Sequence, residues 1–212
     1  MEILHPCSRS IELARISTRI ERTEEQAKRV IPSSKHLTIQ GDHSWKTTAP
    51  NEGIYQCSPL PALWDFLEWG NLKPSSTAIL GGGLGGAAFV FSRFSIFVKV
   101  WEADIILHAL SKNIAGELGF PYNLIDFKLA NFLLDKEDIS DFDTIYFHKP
   151  FNKNYRKLMG DKLEKTRKGT VVISPTQGMP FNLMTVLCSP ASFKLVLLGL
   201  GGKHPFDVFE RI

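Results

Sequence analysis

Five glycines fall within the six positions Gly81-Gly82-Gly83-Leu84-Gly85-Gly86, and Glu102 follows seventeen residues after Gly85. Glycine lets a backbone turn sharply and approach a ligand closely, and a helix that starts just beyond such a turn offers N–H groups to an anionic or polar ligand. A carboxylate at the end of the next strand can accept hydrogen bonds from both hydroxyls of a ribose. Together these residues imply a nucleoside-type cofactor held by backbone and one acid. Taken singly, each has a plainer alternative: a tight turn without a ligand, and a solvated acid at a strand end.

The glycine spacing alone fits two cofactors. Gly81, Gly83 and Gly86 satisfy the dinucleotide pattern GxGxxG, while Gly81, Gly83 and Gly85 satisfy the GxGxG of adenosylmethionine enzymes. A phosphate-binding P-loop is excluded, because no Lys-Ser or Lys-Thr follows the glycines.

The elements that must position this turn read as an alternating series. Residues 77–80 form a short apolar strand that runs into the glycines, and residues 87–93 continue as a helix. Residues 95–101 (SIFVKVW) are a second strand ending at Glu102, followed by a helix over 103–118. That helix carries Ile106, Ala109, Leu110, Ile114 and Leu118 on one side and is stopped by Gly119. Strands follow over 124–130, 143–147 and 170–174, with a helix over 155–164. Strands alternating with helices predict an α/β, doubly wound and mainly parallel sheet. The tail, residues 193–198 and 206–211 around a glycine-rich connection, predicts an antiparallel return.

Ahead of this series, residues 1–30 read as a charged helix with Glu24 four before Lys28 and Glu25 four before Arg29, ended by Pro32. Residues 32–51 are polar and turn-rich and read as a loop or linker. A helix from Leu60 then puts Leu63, Phe66 and Leu67 on one face beside Trp64, with Gly70-Asn71 as its stop. The expected organisation is an N-terminal helical and loop extension over 1–52, which caps the ligand cleft or shapes the substrate pocket, and a ligand-binding domain over 53–212.

Bulk composition narrows the class. A chain of 212 residues, 43% hydrophobic and 22% charged, has the make-up of an ordinary globular protein with one core. The net charge of +3 is too small to indicate nucleic acid. Cys7, Cys57 and Cys188 form neither a pair framework nor a ligand motif, so they read as reduced thiols of a cytoplasmic protein. No apolar run approaches the ~20 residues a membrane span needs. No histidine, cysteine or carboxylate cluster has metal-ligand spacing, so no metal is expected. The basic run from Lys153 through Arg156, Lys157, Lys162, Lys165 and Arg167 to Lys168 reads as a solvated helix face.

Over roughly residues 53–212 the chain resembles the class I, Rossmann-like S-adenosylmethionine-dependent methyltransferases. The likeness lies in the order of Lys73-Pro74, residues 78–86 (AILGGGLGG), Val100-Trp101-Glu102, Asn131-Phe132, residues 142–151 (FDTIYFHKPF) and the reversed final strand over 206–212. It implies a seven-stranded sheet with an antiparallel last strand and S-adenosylmethionine as cofactor. Gly81, Gly82, Gly83 and Gly85 would face the methionine part, Glu102 the ribose, and Asn131 and Phe132 the adenine. Lys149, Pro150 and Phe151 would border the methyl acceptor, a small molecule or a protein side chain. His148 is then a candidate general base, or a histidine hydrogen-bonded at a strand end, and Tyr146 a second catalytic candidate or a packed ring. Two departures stand out. Ile79 occupies a position where the family usually carries an acid, and only the Pro-Phe half of the amino-methyltransferase motif is present at 148–151. A methyltransferase-like protein that binds without catalysis is therefore an alternative. An NAD-dependent oxidoreductase is another, and the reversed tail speaks against it.

Overall fold

The charged N-terminal segment folds as one helix, α1 (Pro6–Val30), whose buried stripe is Leu13, Ile16, Ile20, Thr23 and Glu24. The coordinates are a computed structural model that describes residues 6–30, 39–40, 44–46, 54–56, 58–134, 136–147, 153–175, 191–197 and 206–212. The stretch after α1, expected as a linker, holds β1 (Ile39–Gln40) and β2 (Ser44–Lys46), which join β3 (Ile54–Gln56) in a small antiparallel sheet. Its register aligns Ile39 with Trp45 and Trp45 with Tyr55. Strands of two or three residues between turn-forming residues leave almost no period to detect, so the sequence concealed them.

The helix α2 (Leu60–Trp69) buries Leu60, Leu63, Trp64, Phe66 and Leu67, the face expected from its spacing. It ends at Gly70, and Asn71 takes a positive φ of 47° in the turn beyond. Then follow β4 (Ser76–Leu80), α3 (Gly86–Phe91), β5 (Phe97–Glu102), α4 (Ile105–Leu118), β6 (Ile125–Leu129), β7 (Thr144–Phe147), α5 (Lys153–Leu163), β8 (Val171–Pro175), β9 (Phe193–Leu197) and β10 (Phe206–Arg211).

Seven of these strands form one sheet in the order β6-β5-β4-β7-β8-β10-β9. The first five in that order are parallel, and β10 runs antiparallel to both β8 and β9. The chain enters at β4, builds outward to β6, and returns to place β7 on the other side of β4. The carboxyl ends of β4, β5 and β7 therefore meet where the winding reverses, the position at which open α/β sheets bind ligands.

Strand alternation divides the core into two layers. Ile79, Val98, Val100, Tyr146 and Ile173 face a cluster built by α1, α2, α3 and α4. Ala78, Leu80, Trp101, Ile145, Phe147 and Val172 face the opposite cluster, with Phe132, Leu133, Met159 and Leu163. The amino edge is fixed by Asp143, whose carboxylate accepts from the Ser76 N–H at 2.9 Å and pairs with Arg167. Within the basic run, Lys157 pairs with the exposed Asp161 one turn on, and Lys162 donates to the Glu137 carbonyl at 3.3 Å.

The α4 face differs from expectation. Leu107, Ser111, Ile114 and Ala115 are buried, Ile106, Leu110 and Leu118 are only partly so, and Ala109 is exposed. Apolar residues surround much of this helix, so its own period does not single out a face; packing between the sheet and α1 does. Ser111 tolerates burial because its hydroxyl donates to the His108 carbonyl at 2.8 Å.

Candidate functional site

The glycine turn joins β4 to α3 through three left-handed residues, Gly81, Gly83 and Gly85, with φ of 85°, 55° and 87°. Side chains at these positions would be strained. Gly82 has an ordinary φ but no room: a Cβ there would lie 2.1 Å from Val100 Cγ1. The turn is stitched to the neighbouring strand, because the Gly81 and Gly82 N–H groups both donate to the Trp101 carbonyl at 3.0 Å. It closes on itself where the Gly85 N–H donates to the Gly82 carbonyl at 2.9 Å. Gly86, the first residue of α3, lies under Leu60 and Ile20, and a Cβ there would sit 3.0 Å from one and 3.1 Å from the other.

Glu102, the last residue of β5, folds back onto this turn. Its Oε2 accepts from the Gly83 N–H at 2.7 Å and its Oε1 from the Asp104 N–H at 2.8 Å. The residue is 7% exposed, and burial pushes its carboxyl up to about 7, against the two N–H donors that favour the charged form. A carboxylate oxygen can accept more than one hydrogen bond, so each still has capacity for a ligand hydroxyl.

Asp104 escaped the sequence reading. Its carboxylate caps α4, accepting from the Ile106 and Leu107 N–H groups at 2.8 and 3.1 Å. The signal was present, an aspartate directly ahead of an apolar run, but starting the helix at Ala103 hid it. On the far side of Glu102, the Ala130 N–H donates to the Glu102 carbonyl at 2.9 Å, which brings the turn after β6 alongside. Asn131 begins that turn and its Oδ1 accepts from the Leu133 N–H at 3.0 Å. Phe132 is buried in the cluster that holds Trp101 and Leu133.

Gly81, Gly82, Gly83, Gly85, Glu102 and Asn131 are thus gathered at the carboxyl ends of β4, β5 and β6. Tyr146 lies one strand away, paired in register with Ile79. Its ring is buried against Phe91 at 5.3 Å, and its hydroxyl donates to Ser58 Oγ at 3.0 Å. His148, Lys149, Pro150 and Phe151 lie outside the described residues. Among the described residues no group of three or more His, Cys, Asp or Glu could hold a metal ion, and no helix is long and apolar enough to cross a membrane.

No known family profile matches the sequence, and no curated protein matches it. Solved structures do match in fold. A methyltransferase from Geobacter sulfurreducens aligns with a TM-score of 0.60 at 14% identity, over 92% of this chain and 90% of its own. An RNA methyltransferase from Salinibacter ruber, solved in complex with S-adenosyl-L-homocysteine, aligns at 0.53 and 19% identity over 73% of this chain and 92% of its own. TrmN from Thermus thermophilus aligns at 0.55 and 20% identity over 72% of this chain, which spans 48% of that protein. With its antiparallel β10 set between β8 and β9, the chain has the Rossmann-like fold of the class I S-adenosylmethionine-dependent methyltransferases.

Proposed function

We propose that this protein binds S-adenosylmethionine at the glycine turn and Glu102 and transfers its methyl group to an acceptor, a small molecule or a protein side chain. The observation that carries the reading is the Glu102 carboxylate lying 2.7 Å from the Gly83 N–H, which joins a ribose acceptor and a glycine cradle in one site. The cradle fits a cofactor that approaches the backbone, since a Cβ at Gly81 would meet nothing within 4 Å and that side of the turn is open. Gly81 to Gly83 would hold the methionine end and Glu102 the ribose hydroxyls, with Asn131 beside the adenine.

When bound, this cofactor supplies an electrophilic methyl group on a sulfonium, and the protein's task is alignment and exclusion of water. Tyr146, buried and committed to Ser58, suits alignment better than proton transfer. His148 remains the candidate base, and Lys149, Pro150 and Phe151 the candidate acceptor contacts, by their place after β7.

Binding without catalysis is the second reading, favoured by Ile79, an apolar side chain buried in the core directly behind the turn. An NAD-dependent oxidoreductase is disfavoured by the antiparallel β10. Calorimetric titration with S-adenosylmethionine, S-adenosylhomocysteine and NAD tests all three. Binding of the adenosyl ligands alone is expected; binding of NAD alone, or of none, overturns the proposal. A tritiated-methyl screen over protein, RNA and metabolite pools then separates transfer from silent binding.

A further inference from the structure

β6 is an outer strand of the main sheet, paired on one side with β5. The Leu124 carbonyl accepts from the Val98 N–H, and the Ala130 N–H donates to the Glu102 carbonyl, both at 2.9 Å. Alternate residues of a strand bond to the same side, so Asp126 and Lys128 complete that ladder, and Ile125, Phe127 and Leu129 aim their N–H and C=O groups outward. The outward carbonyl of Phe127 lies 3.2 Å from His108 Nε2 and keeps a second lone pair. An edge with a row of outward donors and acceptors is a template for another strand unless charge or shape prevents pairing.

The residues of β6, Ile-Asp-Phe-Lys-Leu, decide which strand fits. They are complementary to themselves. When two copies meet antiparallel about an axis at Phe127, the outward backbone groups of Ile125, Phe127 and Leu129 are those the new ladder needs. On one face Asp126 then stands opposite Lys128 of the second copy, twice over, where two like charges would repel. Both side chains remain partly exposed beside their own partners, Asp126 with Lys99 and Lys128 with Glu137. On the other face Ile125 is buried, whereas Leu129 is 44% exposed. Next to Ile125 opens a hollow of about 230 Å³ lined by Phe120, Pro121, Tyr122, Ile125 and Phe127, with Tyr122 82% exposed. Because the register sets Ile125 opposite Leu129 of the second copy, each exposed leucine meets the hollow of the other chain.

We propose that β6 is a docking edge for a second copy of this chain: two β6 strands pair antiparallel, with Asp126 against Lys128 across the axis, and join the two seven-stranded sheets into one. The interface is isologous, so each charge pair and each leucine contact occurs twice. A five-residue edge buries less than a permanent interface does, so the dimer is reversible and depends on concentration. It does not rest on the methyltransferase reading, since neither the glycine turn nor Glu102 takes part.

Sedimentation velocity of the full chain, from micromolar to several hundred micromolar protein, tests this. The wild type should pass from monomer to dimer as concentration rises. Asp126→Lys and Lys128→Asp each set like charges opposite one another in the pairing register, and each should weaken dimerisation about tenfold or more. Mixed together, the two variants should form a heterodimer, because the lysines of one then face the aspartates of the other. The double exchange within one chain should restore the homodimer for the same reason. Leu129→Glu, at an exposed position that the fold tolerates, should also weaken the dimer, by bringing a charge to the apolar hollow. A wild type that stays monomeric throughout overturns the proposal. So does a dimer that survives Asp126→Lys, Lys128→Asp and Leu129→Glu unchanged, which would place the contact on another face. Failure of the two single variants to associate on mixing, with both folded by circular dichroism, overturns the antiparallel register at Phe127.

Discussion

Glu102 and Gly83, nineteen residues apart, are joined by a 2.7 Å hydrogen bond from the glycine N–H to the buried carboxylate. The acid therefore shapes the turn that would hold one half of a cofactor while presenting its remaining acceptor capacity to the other half. Removing it affects both.

Glu102→Gln should weaken S-adenosylhomocysteine binding by about 10- to 100-fold, since a charge-assisted hydrogen bond contributes roughly 1.5–3 kcal/mol. Titration calorimetry measures this, and unchanged affinity would remove Glu102 from the ribose role.

The raised carboxyl gives a pH signature. Between the ordinary value of 4.5 and about 7 the folded state holds a proton that the unfolded state has released. Stability is thus greatest at the acid end of this window and falls as pH rises through it, by roughly 3 kcal/mol, then levels off. Denaturant midpoints across that range should show the decline in the wild type and not in Glu102→Gln. Affinity for S-adenosylhomocysteine should move the other way and rise from pH 6 to pH 8, because the ionised carboxylate is the better acceptor for ribose hydroxyls.

Gly82→Ala places a methyl group against Val100 Cγ1, where only 2.1 Å is available. Overpacking of this kind costs about 1–3 kcal/mol, and ligand affinity should fall with it as the turn is displaced. Val100→Ala in the same chain should restore part of both, read by thermal melting and calorimetry.

Asp104→Ala removes the cap of α4 and should cost about 1 kcal/mol of stability, whereas Asp104→Asn keeps an acceptor oxygen and should cost less. Chemical denaturation distinguishes the two.

Much of this fold was legible along the chain because its signals are local. The run from Ala78 into five glycines, the acid ending the next strand and the β-branched segments at 95–101 and 170–174 each declare themselves within a few residues. The α4 face did not, because apolar residues surround much of the helix and only its neighbours choose among them. Nor did β1 and β2, which are too short to carry a period and exist as pairings with β3.

What the sequence by itself determined was the order of elements and the chemistry available at the turn, since both follow from residue type and short spacing. Only the tertiary structure decided where that chemistry points. Sheet pairing brings Glu102 back to Gly83, buries Phe132 beneath the site and turns Tyr146 towards Ser58. Those outcomes depend on which strands become neighbours, and strand order is settled by burying both faces of the sheet at once rather than by any single segment.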